Sequence, residues 1–403
     1  MTPPNLISVL DALERVLEGA ARTGTELIAL RQAIGRTLAE PLVAKRTQPP
    51  FRSSAMDGYA IRGEDGTEGA RLKLIGEAAA GHLFEGPVGP GEAVRIFTGG
   101  AVPDGADTVL IQENTRREGD VVHVTVAAEH GRHIRSAGLD FNEDDVLLPE
   151  GTLLNSRMVG LAASAGYGMV CVARKPRVAI LATGDELVLP GTRPGPGQIV
   201  ASNTVMIAGI AESVGAEVID LGIAPDRLPD IQTQIRHARD HAHVLVTIGG
   251  ASVGDYDLTH KALENEGVEM NFWRIAMRPG RPLMYGRFGG GARAVGLPGN
   301  PGSAFIGAAL FLMPLLRALQ GRKDVMNKIE PAILGKDLRG NDWRADHLRA
   351  TLTWNGTGLP VAKPYGRQDS SMLCSLAEAD CLIVRPADDP PRAAGEPCRI
   401  IKI

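Results

Sequence analysis

Residues 249–257 combine glycines, a hydroxyl group and two acids at a spacing that suits an anion or a divalent cation. This stretch follows an apolar β-branched run, Val244–Ile248, and a helical pattern begins at Leu258. Glycines let backbone N–H groups approach an anion, and Asp255 and Asp257 could hold a metal ion or position water. The layout is typical of a ligand loop in an α/β sheet, although ordinary turns use the same residue types.

Other acids follow the neighbouring predicted strands of the same unit. Glu186 comes after a strand predicted at 177–183, and Asp226 after one predicted at 216–223. Because parallel strands end at one edge of a sheet, we expect these two acids to lie close to Asp257. Crowded carboxylates repel one another unless a cation or a ligand offsets their charge. Helix N-capping is the simpler alternative for any single one of them.

The segment Leu297–Ser303 joins the last predicted strand to a helix and could bind an oxyanion. Asn300 has the position of an N-cap and Pro301 that of the first helical residue. The N–H groups of Gly302 and Ser303 would then point out of the positive helix end, which favours a phosphate. Proline–glycine turns before helices are also common without a ligand.

A stiff turn, Arg278-Pro279-Gly280-Arg281-Pro282, precedes that segment and carries two guanidinium groups. Arginine forms bidentate contacts with oxyanions, so Arg278 and Arg281 are candidate ligands. The alternative is two solvated surface arginines. We find neither a P-loop nor a serine–histidine or cysteine–histidine order that would indicate a covalent nucleophile.

Composition places the chain among globular proteins and excludes several classes of function. It has 403 residues, of which 44% are hydrophobic and 4% aromatic, with a net charge of -4. The weak charge argues against nucleic-acid or membrane binding, and the scarce aromatics argue against a stacking surface for single strands. The four separated cysteines suggest reduced thiols and a cytoplasmic protein. An apolar stretch at 294–316 is interrupted by glycine and proline, and predicts a buried helix.

The order of patterns predicts an α/β plus β fold with four units. Helices at 6–20 and 27–38 and a segment at 139–175 would form one discontinuous unit. Short glycine-separated strands predict a β-domain inserted within it, and alternating strands and helices predict a doubly wound parallel sheet. A small β-barrel would end the chain. The predicted units are 1–45 with 139–175, 46–138, 176–326 and 327–403.

Together these motifs resemble the molybdopterin molybdenumtransferase family (MoeA and the gephyrin E-domain). The resemblance runs from the first helix to Ile403. It depends on seven segments in the family's order: Ser54–Ala60, Phe97–Asp107, Arg135–Asp140, Thr183–Leu187, Gly249–Asp257, Arg278–Pro282 and Leu297–Ser303. It implies an elongated homodimer of four-domain subunits with a MogA-like α/β domain that holds the pterin.

The resemblance also implies a reaction, in which molybdenum from molybdate enters adenylylated molybdopterin and AMP is released with the help of Mg²⁺. Matching the family's motifs, Glu186 and Asp257 would hold the metal or help cleave the phosphoanhydride, and Asp226 would join them. Asp57, Thr98 and Asp140 would act from the other face of a cleft at the subunit interface. The residues expected to bind substrate are Gly250, Ser252, Gly254, Pro298, Asn300, Pro301 and Ser303. The residues expected to bind molybdate are Arg278, Arg281, Arg349 and Ser370.

Some positions depart from the family's usual residues. Valine is usual where Ala251 and Gly302 stand, and glycine where Asp369 stands, beside Ser370. Arg52 replaces an acid or a histidine. None of these changes removes a proposed acid, but Arg52 and Asp369 could alter substrate affinity.

Two other functions compete with molybdenum insertion. A MogA-like adenylyltransferase would make the adenylylated pterin, but that group lacks the flanking β-domains. A gephyrin-like receptor scaffold would need a fused trimerising domain, which this sequence does not show. A MogA-like enzyme and recipient molybdoenzymes are possible protein partners.

Overall fold

The computed structural model of the chain describes residues 6–79, 81–249, 258–354, 356 and 358–403. The predicted site residues Gly250, Ser252, Gly254 and Asp257 therefore lie outside the described residues. The elements up to residue 175 are α1 (Val9–Leu17), β1 (Thr25–Ala29), β2 (Leu42–Val43), β3 (Ser53–Ser54), β4 (Gly58–Ile61), β5 (Arg71–Ala78), β6 (Glu92–Ile96), β7 (Thr108–Ile111), β8 (Thr115–Glu118), β9 (Val121–Val124), β10 (Ile134–Arg135), β11 (Val146–Leu148), α2 (Ser156–Ser164) and β12 (Met169–Ala173).

Two antiparallel ladders join the segments on either side of residues 46–138. Strand β1 pairs with β12, and β2 pairs with β11. The helix predicted at 27–38 is wrong: this region holds β1 and a short 3₁₀ turn, Leu30–Gln32. Exposure alternates along β1, and Leu27 pairs with Cys171. The partner strand, 140 residues away along the chain, decides this conformation over local helix preference.

Residues 58–124 form a six-stranded sheet in the order β7-β4-β6-β5-β9-β8. Tyr59 and Ile61 lie in one apolar cluster, whereas Ala60 lies in another, as alternation along a strand requires. The short strands predicted for this region are confirmed. Strand β8 was not predicted, because its residues Thr-Arg-Arg-Glu are nearly all exposed and show no apolar alternation.

The central part of the chain forms a second six-stranded sheet, in the order β16-β13-β17-β21-β20-β18. Its elements are β13 (Arg177–Thr183), β14 (Leu187–Val188), β15 (Ile199–Val200), α3 (Ser202–Ser213), β16 (Glu217–Ala224), α4 (Leu228–His241), β17 (Val244–Ile248), α5 (Leu258–Asn265), β18 (Val268–Phe272), β19 (Met277–Arg278), β20 (Met284–Phe288), β21 (Arg293–Leu297), α6 (Pro301–Gly307), a π-helical segment (Ala308–Leu312) and α7 (Met313–Leu319).

This central sheet is only partly parallel, contrary to the prediction. Strands β16, β13, β17 and β21 are parallel, whereas β20 and β18 are antiparallel to their neighbours. The connection from β20 to β21 is a short turn, and a turn of that length can only join antiparallel strands. The four parallel strands are the ones whose carboxyl ends carry the predicted site residues.

Apolar layers cover both faces of the central sheet. Val178 and Ile180 of β13 face one layer, which includes α3, α6 and α7, and Ala179 and Leu181 face the other, built on α4 and α5. Helix α1 begins after the N-cap Ser8 and also packs into the first layer. The first helix therefore contacts the central unit rather than the strands β1 and β2 that follow it.

One described helix, Pro301–Leu319, is long and apolar enough to cross a membrane. However, 78% of its most apolar window is buried inside the protein. An apolar helix that is mostly buried in this way is typical of a protein core. The predicted buried helix is therefore confirmed.

The C-terminal segment closes into a five-stranded barrel in the order β23-β24-β22-β26-β25, with β25 returning to β23. Its elements are β22 (Ile329–Leu334), β23 (Ala345–Thr353), β24 (Val361–Pro364), α8 (Leu373–Ala377), β25 (Cys381–Arg385) and β26 (Pro397–Lys402). The predicted barrel is confirmed. Strand β19 of the central unit pairs with β23, which attaches the barrel next to the carboxyl edge of the central sheet.

Candidate functional site

A cavity of about 450 Å³ opens at the carboxyl ends of the parallel strands. It lies beside Thr183 at the end of β13 and Ile248 at the end of β17, and it reaches the bend after β21. Among the described residues, those of the predicted site that line it are Glu186, Pro298, Asn300 and Pro301. Residues far apart in the sequence thus meet at one edge of the sheet, as predicted.

Glu186 reaches the cavity through a turn that depends on Gly184. Gly184 has a φ of +151°, a conformation that favours glycine. A Cβ atom on Gly184 would lie 2.6 Å from a carboxylate oxygen of Glu186. The glycine therefore leaves room for the carboxylate directly above the end of β13.

Asp226 lies beside Asp185 and Glu186, which makes this corner of the site strongly acidic. The backbone N–H of Asp226 donates to Asp185 Oδ1 over 3.1 Å. Packing around the carboxyl group raises the pKa of Asp226, and repulsion by Asp185 and Glu186 adds to this effect. Both causes disfavour the charged carboxylate, so a cation or a cationic ligand group beside Asp226 would be stabilised.

The bend after β21 has the predicted backbone, with one difference in its hydrogen bonds. Asn300 occupies the N-cap and Pro301 the first helical position. The N–H of Gly302 does not face the cavity as predicted, because it donates to the carbonyl of Ser370 over 2.7 Å. The loop of the barrel that carries Ser370 thus takes one of the two predicted anion donors. The other, Ser303, is buried and does not line the cavity.

Asn203 supports the same bend, a role that the sequence did not reveal. It does not cap α3, because Ala201 occupies the N-cap. The Asn203 amide instead donates to the carbonyl of Gly299 over 2.7 Å. Asn203 also lines the cavity, so it connects α3 with the bend across the site.

A two-stranded strap forms one wall of the cavity and was also absent from the prediction. Strands β14 and β15 pair in parallel, and Ile199 and Val200 at the cavity wall are exposed. Exposed apolar side chains beside polar groups suit a flat ring system that carries an anionic tail. The glycine- and proline-rich segment between these strands hid the pairing in the sequence.

The two arginines of the 278–282 turn differ in their surroundings. Arg278 donates to Asp346 through Nε and Nη2, at 2.9 and 2.6 Å, and lies 3.7 Å from Asp342. Arg281 is exposed, with its guanidinium 5.9 Å from the ring of Trp343. The Arg278 side chain therefore joins the central unit to the barrel, whereas the Arg281 side chain is free of ion pairs among the described residues.

Arg349 and Ser370 belong to the barrel, and the loop that carries Ser370 connects them to the bend after β21. The buried Arg349 guanidinium donates to the carbonyls of Asp369 and Met372, at 2.8 and 2.9 Å, and to Ser375. These bonds fix the loop whose Ser370 carbonyl accepts from Gly302. Ser370 is thus placed at the bend, and Arg349 contacts the bend only through the loop.

Asp57, Thr98 and Asp140 belong to a separate region and do not line the cavity of the same chain. The backbone N–H and the hydroxyl of Thr98 both donate to Asp57 Oδ1, at 2.7 and 2.8 Å. These two bonds, assisted by the charge of Arg95, lower the pKa of Asp57 and keep it ionised. Asp140 is exposed, and its N–H donates to the Gln48 carbonyl.

Within the described part of the chain, no group of three or more histidine, cysteine or acidic side chains is placed to hold a metal ion. Asp257, the predicted partner of Glu186, lies outside it. Carboxylate oxygens are the donors that Mg²⁺ prefers, and this ion commonly takes one or two of them together with water and substrate phosphate. The acidic corner therefore fits Mg²⁺ by the chemistry of its donors.

Family models cover the chain in three consecutive parts. The MoeA N-terminal region (domains I and II) matches residues 7–166, a probable molybdopterin binding domain matches 179–318, and the MoeA C-terminal region (domain IV) matches 331–403. The chain is 34% identical over 376 residues to the molybdopterin molybdenumtransferase of Haemophilus influenzae, covering 93% of each. It is 33% identical over 391 residues to that of a Nostoc species, covering 94% of this chain and 89% of the relative.

A solved structure has the same architecture. The molybdopterin biosynthesis moeA protein of Pyrococcus horikoshii superposes with a TM-score of 0.86 at 29% identity. The superposition covers 99% of this chain and all of that one. That protein therefore has the same regions in the same arrangement.

Proposed function

The chain belongs to the molybdopterin molybdenumtransferase family, and on that premise we propose that it inserts molybdenum from molybdate into adenylylated molybdopterin and releases AMP. One observation carries this proposal: the cavity at the carboxyl edge joins an acidic corner at Glu186 with a helix-start bend at 298–303. A substrate with a phosphoanhydride and a flat ring needs both features.

In this proposal the exposed apolar wall of the strap binds the pterin ring, and the bend holds its phosphate. The start of α6 at Asn300 and Pro301, which line the cavity, would stabilise negative charge there, since the positive end of a helix favours an oxyanion. Glu186 and Asp226, with Asp257, would orient the attacking group and hold Mg²⁺. A bound Mg²⁺ would offset charge on the phosphoanhydride.

Arg281 is the better placed candidate for molybdate, because Arg278 already pairs with Asp346. Arg349 would act on molybdate indirectly, by fixing the loop that carries Ser370. We further propose that the units follow the boundaries predicted from the sequence, apart from α1, which packs with the central unit. A cytoplasmic enzyme of this kind would receive its substrate from a MogA-like adenylyltransferase and pass its product to molybdoenzymes.

Molybdate-dependent AMP release from adenylylated molybdopterin tests the reaction. Glu186→Gln and Asp257→Asn should each fold normally. The turnover of each should fall about a hundredfold or more, because each substitution removes a charge at the reacting phosphate. Glu212→Gln, an exposed acid on α3, is the control and should keep the wild-type rate. Wild-type turnover in Glu186→Gln would contradict the role of Glu186. Pyrophosphate release from ATP would instead indicate an adenylyltransferase.

The remote position of Asp57, Thr98 and Asp140 supports a second proposal, that a homodimer partner supplies them to each cavity. Mixing inactive Glu186→Gln with inactive Asp57→Asn should then restore activity. Random exchange gives half heterodimers, each with one intact site, so recovery should approach about a quarter of the wild-type rate. Mass spectrometry checks that the subunits have exchanged. If they have and activity does not recover, these residues are not supplied across the subunit interface.

A further inference from the structure

A second cavity, of about 410 Å³, lies at the amino edge of the central sheet. Arg177 begins β13, Glu217 begins β16, and His243 directly precedes β17. The seven residues of β13 separate this amino-edge pocket from the site at Thr183 by about 20 Å. Its wall is completed by Arg174 and by the N-terminal strand β1. The amino-edge pocket is therefore distinct from the candidate active site.

Three cationic side chains line this pocket: Arg174, Lys175 and Arg177. Arg174 Nε donates to the carbonyl of Thr25 over 2.9 Å, which fixes the guanidinium while its terminal nitrogens stay available. Within the described residues, neither the Lys175 ammonium nor the Arg177 guanidinium has an ion-pair partner. Cations brought together with too few counter-charges repel one another and favour an added anion.

His243 adds a fourth donor. The backbone N–H of Arg177 donates to His243 Nδ1 over 2.9 Å, so a neutral ring carries its proton on Nε2. Partial burial, together with the charge of Arg177, lowers the pKa of His243 and favours this neutral form. The ring can therefore donate one hydrogen bond toward a ligand.

The acids at the pocket do not balance its cations. Glu26 is already paired with Arg36, a residue outside the lining. Glu217 is the remaining carboxylate of the lining. Three cations thus face one uncompensated acid among the described residues.

We propose that the amino-edge pocket binds a phosphate group, either as inorganic phosphate or as a phosphate monoester. Guanidinium groups bind phosphate oxygens in a bidentate manner, and an ammonium group contributes a point charge. The volume exceeds that of a single phosphate ion and leaves room for the organic part of a monoester. The site is independent of the proposed molybdenum insertion.

Nuclear magnetic resonance of the His243 ring can test this site specifically. Full-length protein is titrated at constant pH with inorganic phosphate, AMP or adenosine, against sodium chloride of equal ionic strength. The signal is assigned with His243→Gln. Phosphate and AMP should shift the signal to saturation, and adenosine and chloride should not. Tighter binding of AMP than of phosphate would identify a monoester as the ligand, and the reverse would identify the free ion.

Matched charge variants complete the test. Lys175→Gln with Arg177→Gln should weaken binding by about tenfold or more, because two charge-assisted contacts are lost. Arg31→Gln with Arg157→Gln removes two exposed cations elsewhere and should bind like the wild type. Circular dichroism checks that both variants fold. The proposal is overturned if phosphate leaves the His243 signal unchanged, if chloride or adenosine shifts it equally, or if the first variant retains wild-type affinity.

Discussion

The two edges of the central sheet carry opposite charge, although the same parallel strands supply both. At the carboxyl edge, Asp185, Glu186 and Asp226 crowd together and the pKa of Asp226 rises. At the amino edge, Arg174, Lys175 and Arg177 line a pocket where the pKa of His243 falls. The comparison shows that the segments before and after the same strands can deliver different chemistry to the two ends of one sheet.

The difference also has a backbone origin. Loops at the carboxyl edge lead into helix starts, whose N–H groups favour anions, so this edge stabilises acidic side chains or a bound oxyanion. The amino edge lies beside the N-terminal unit. Its cations come from the connector 174–176 between β12 and β13 and from Arg177, the first residue of β13.

The largest expected effect separates the two edges by activity. Asp226→Asn should lower molybdate-dependent AMP release by about a thousandfold, as expected for a group that assists at the reacting centre. Glu217→Gln, the corresponding acid at the amino edge, should leave turnover within about twofold, since surface substitutions away from a site have small effects. Equal losses in both variants would remove the functional distinction between the edges.

The pH dependence of stability compares His243 at the amino edge with a buried histidine of the barrel, His347. Burial lowers the pKa of His347 to about 4, from 6.5 in the unfolded chain. The unfolded state therefore binds more protons between these values, and the free energy of unfolding should fall as the pH drops from 6.5 to 4. The full loss from this group is about 3 kcal/mol. His243 at the amino edge acts in the same direction.

Urea unfolding at several pH values measures this slope. His347→Leu should flatten it, because the buried Nδ1 has no hydrogen-bond partner in the described structure and an apolar side chain costs little there. His82→Gln alters an exposed ring and should keep the wild-type slope. An unchanged slope in His347→Leu would show that this histidine is not the titrating group.

The smallest effect concerns how the carboxyl edge is attached to the barrel. Arg278→Ala should lower the free energy of unfolding by about 2 kcal/mol, because it leaves the Asp346 carboxylate, only 2% exposed, without its partner. Arg281→Ala should cost less than about 1 kcal/mol, since it removes only an exposed contact with Trp343.

Molybdate affinity distinguishes the two arginines further. If Arg281 is the ligand, Arg281→Ala should raise the KM for molybdate at unchanged stability. A larger rise in Arg278→Ala than in Arg281→Ala would return the ligand role to Arg278.

Short-range patterns predicted much of the fold and part of the site. The strand bounds at 177–183 and 244–248 were predicted to the residue, because their apolar β-branched runs leave no polar face. The bend at Asn300 and Pro301 was predicted from capping chemistry, which is local. The prediction failed at 27–38, where a distant strand decides the conformation, and at β20, where a short connection forces an antiparallel pair.

By itself, the sequence determined which residues end the strands and which family these motifs resemble, because capping, periodicity and loop chemistry act over a few neighbours. Only the tertiary structure decided that Ser370 takes the Gly302 N–H, that Asn203 holds the bend, and that Arg278 pairs with Asp346. It alone also brought Arg177 and His243 to one pocket. Such contacts join residues between 66 and 96 positions apart, and packing rather than local preference selects them.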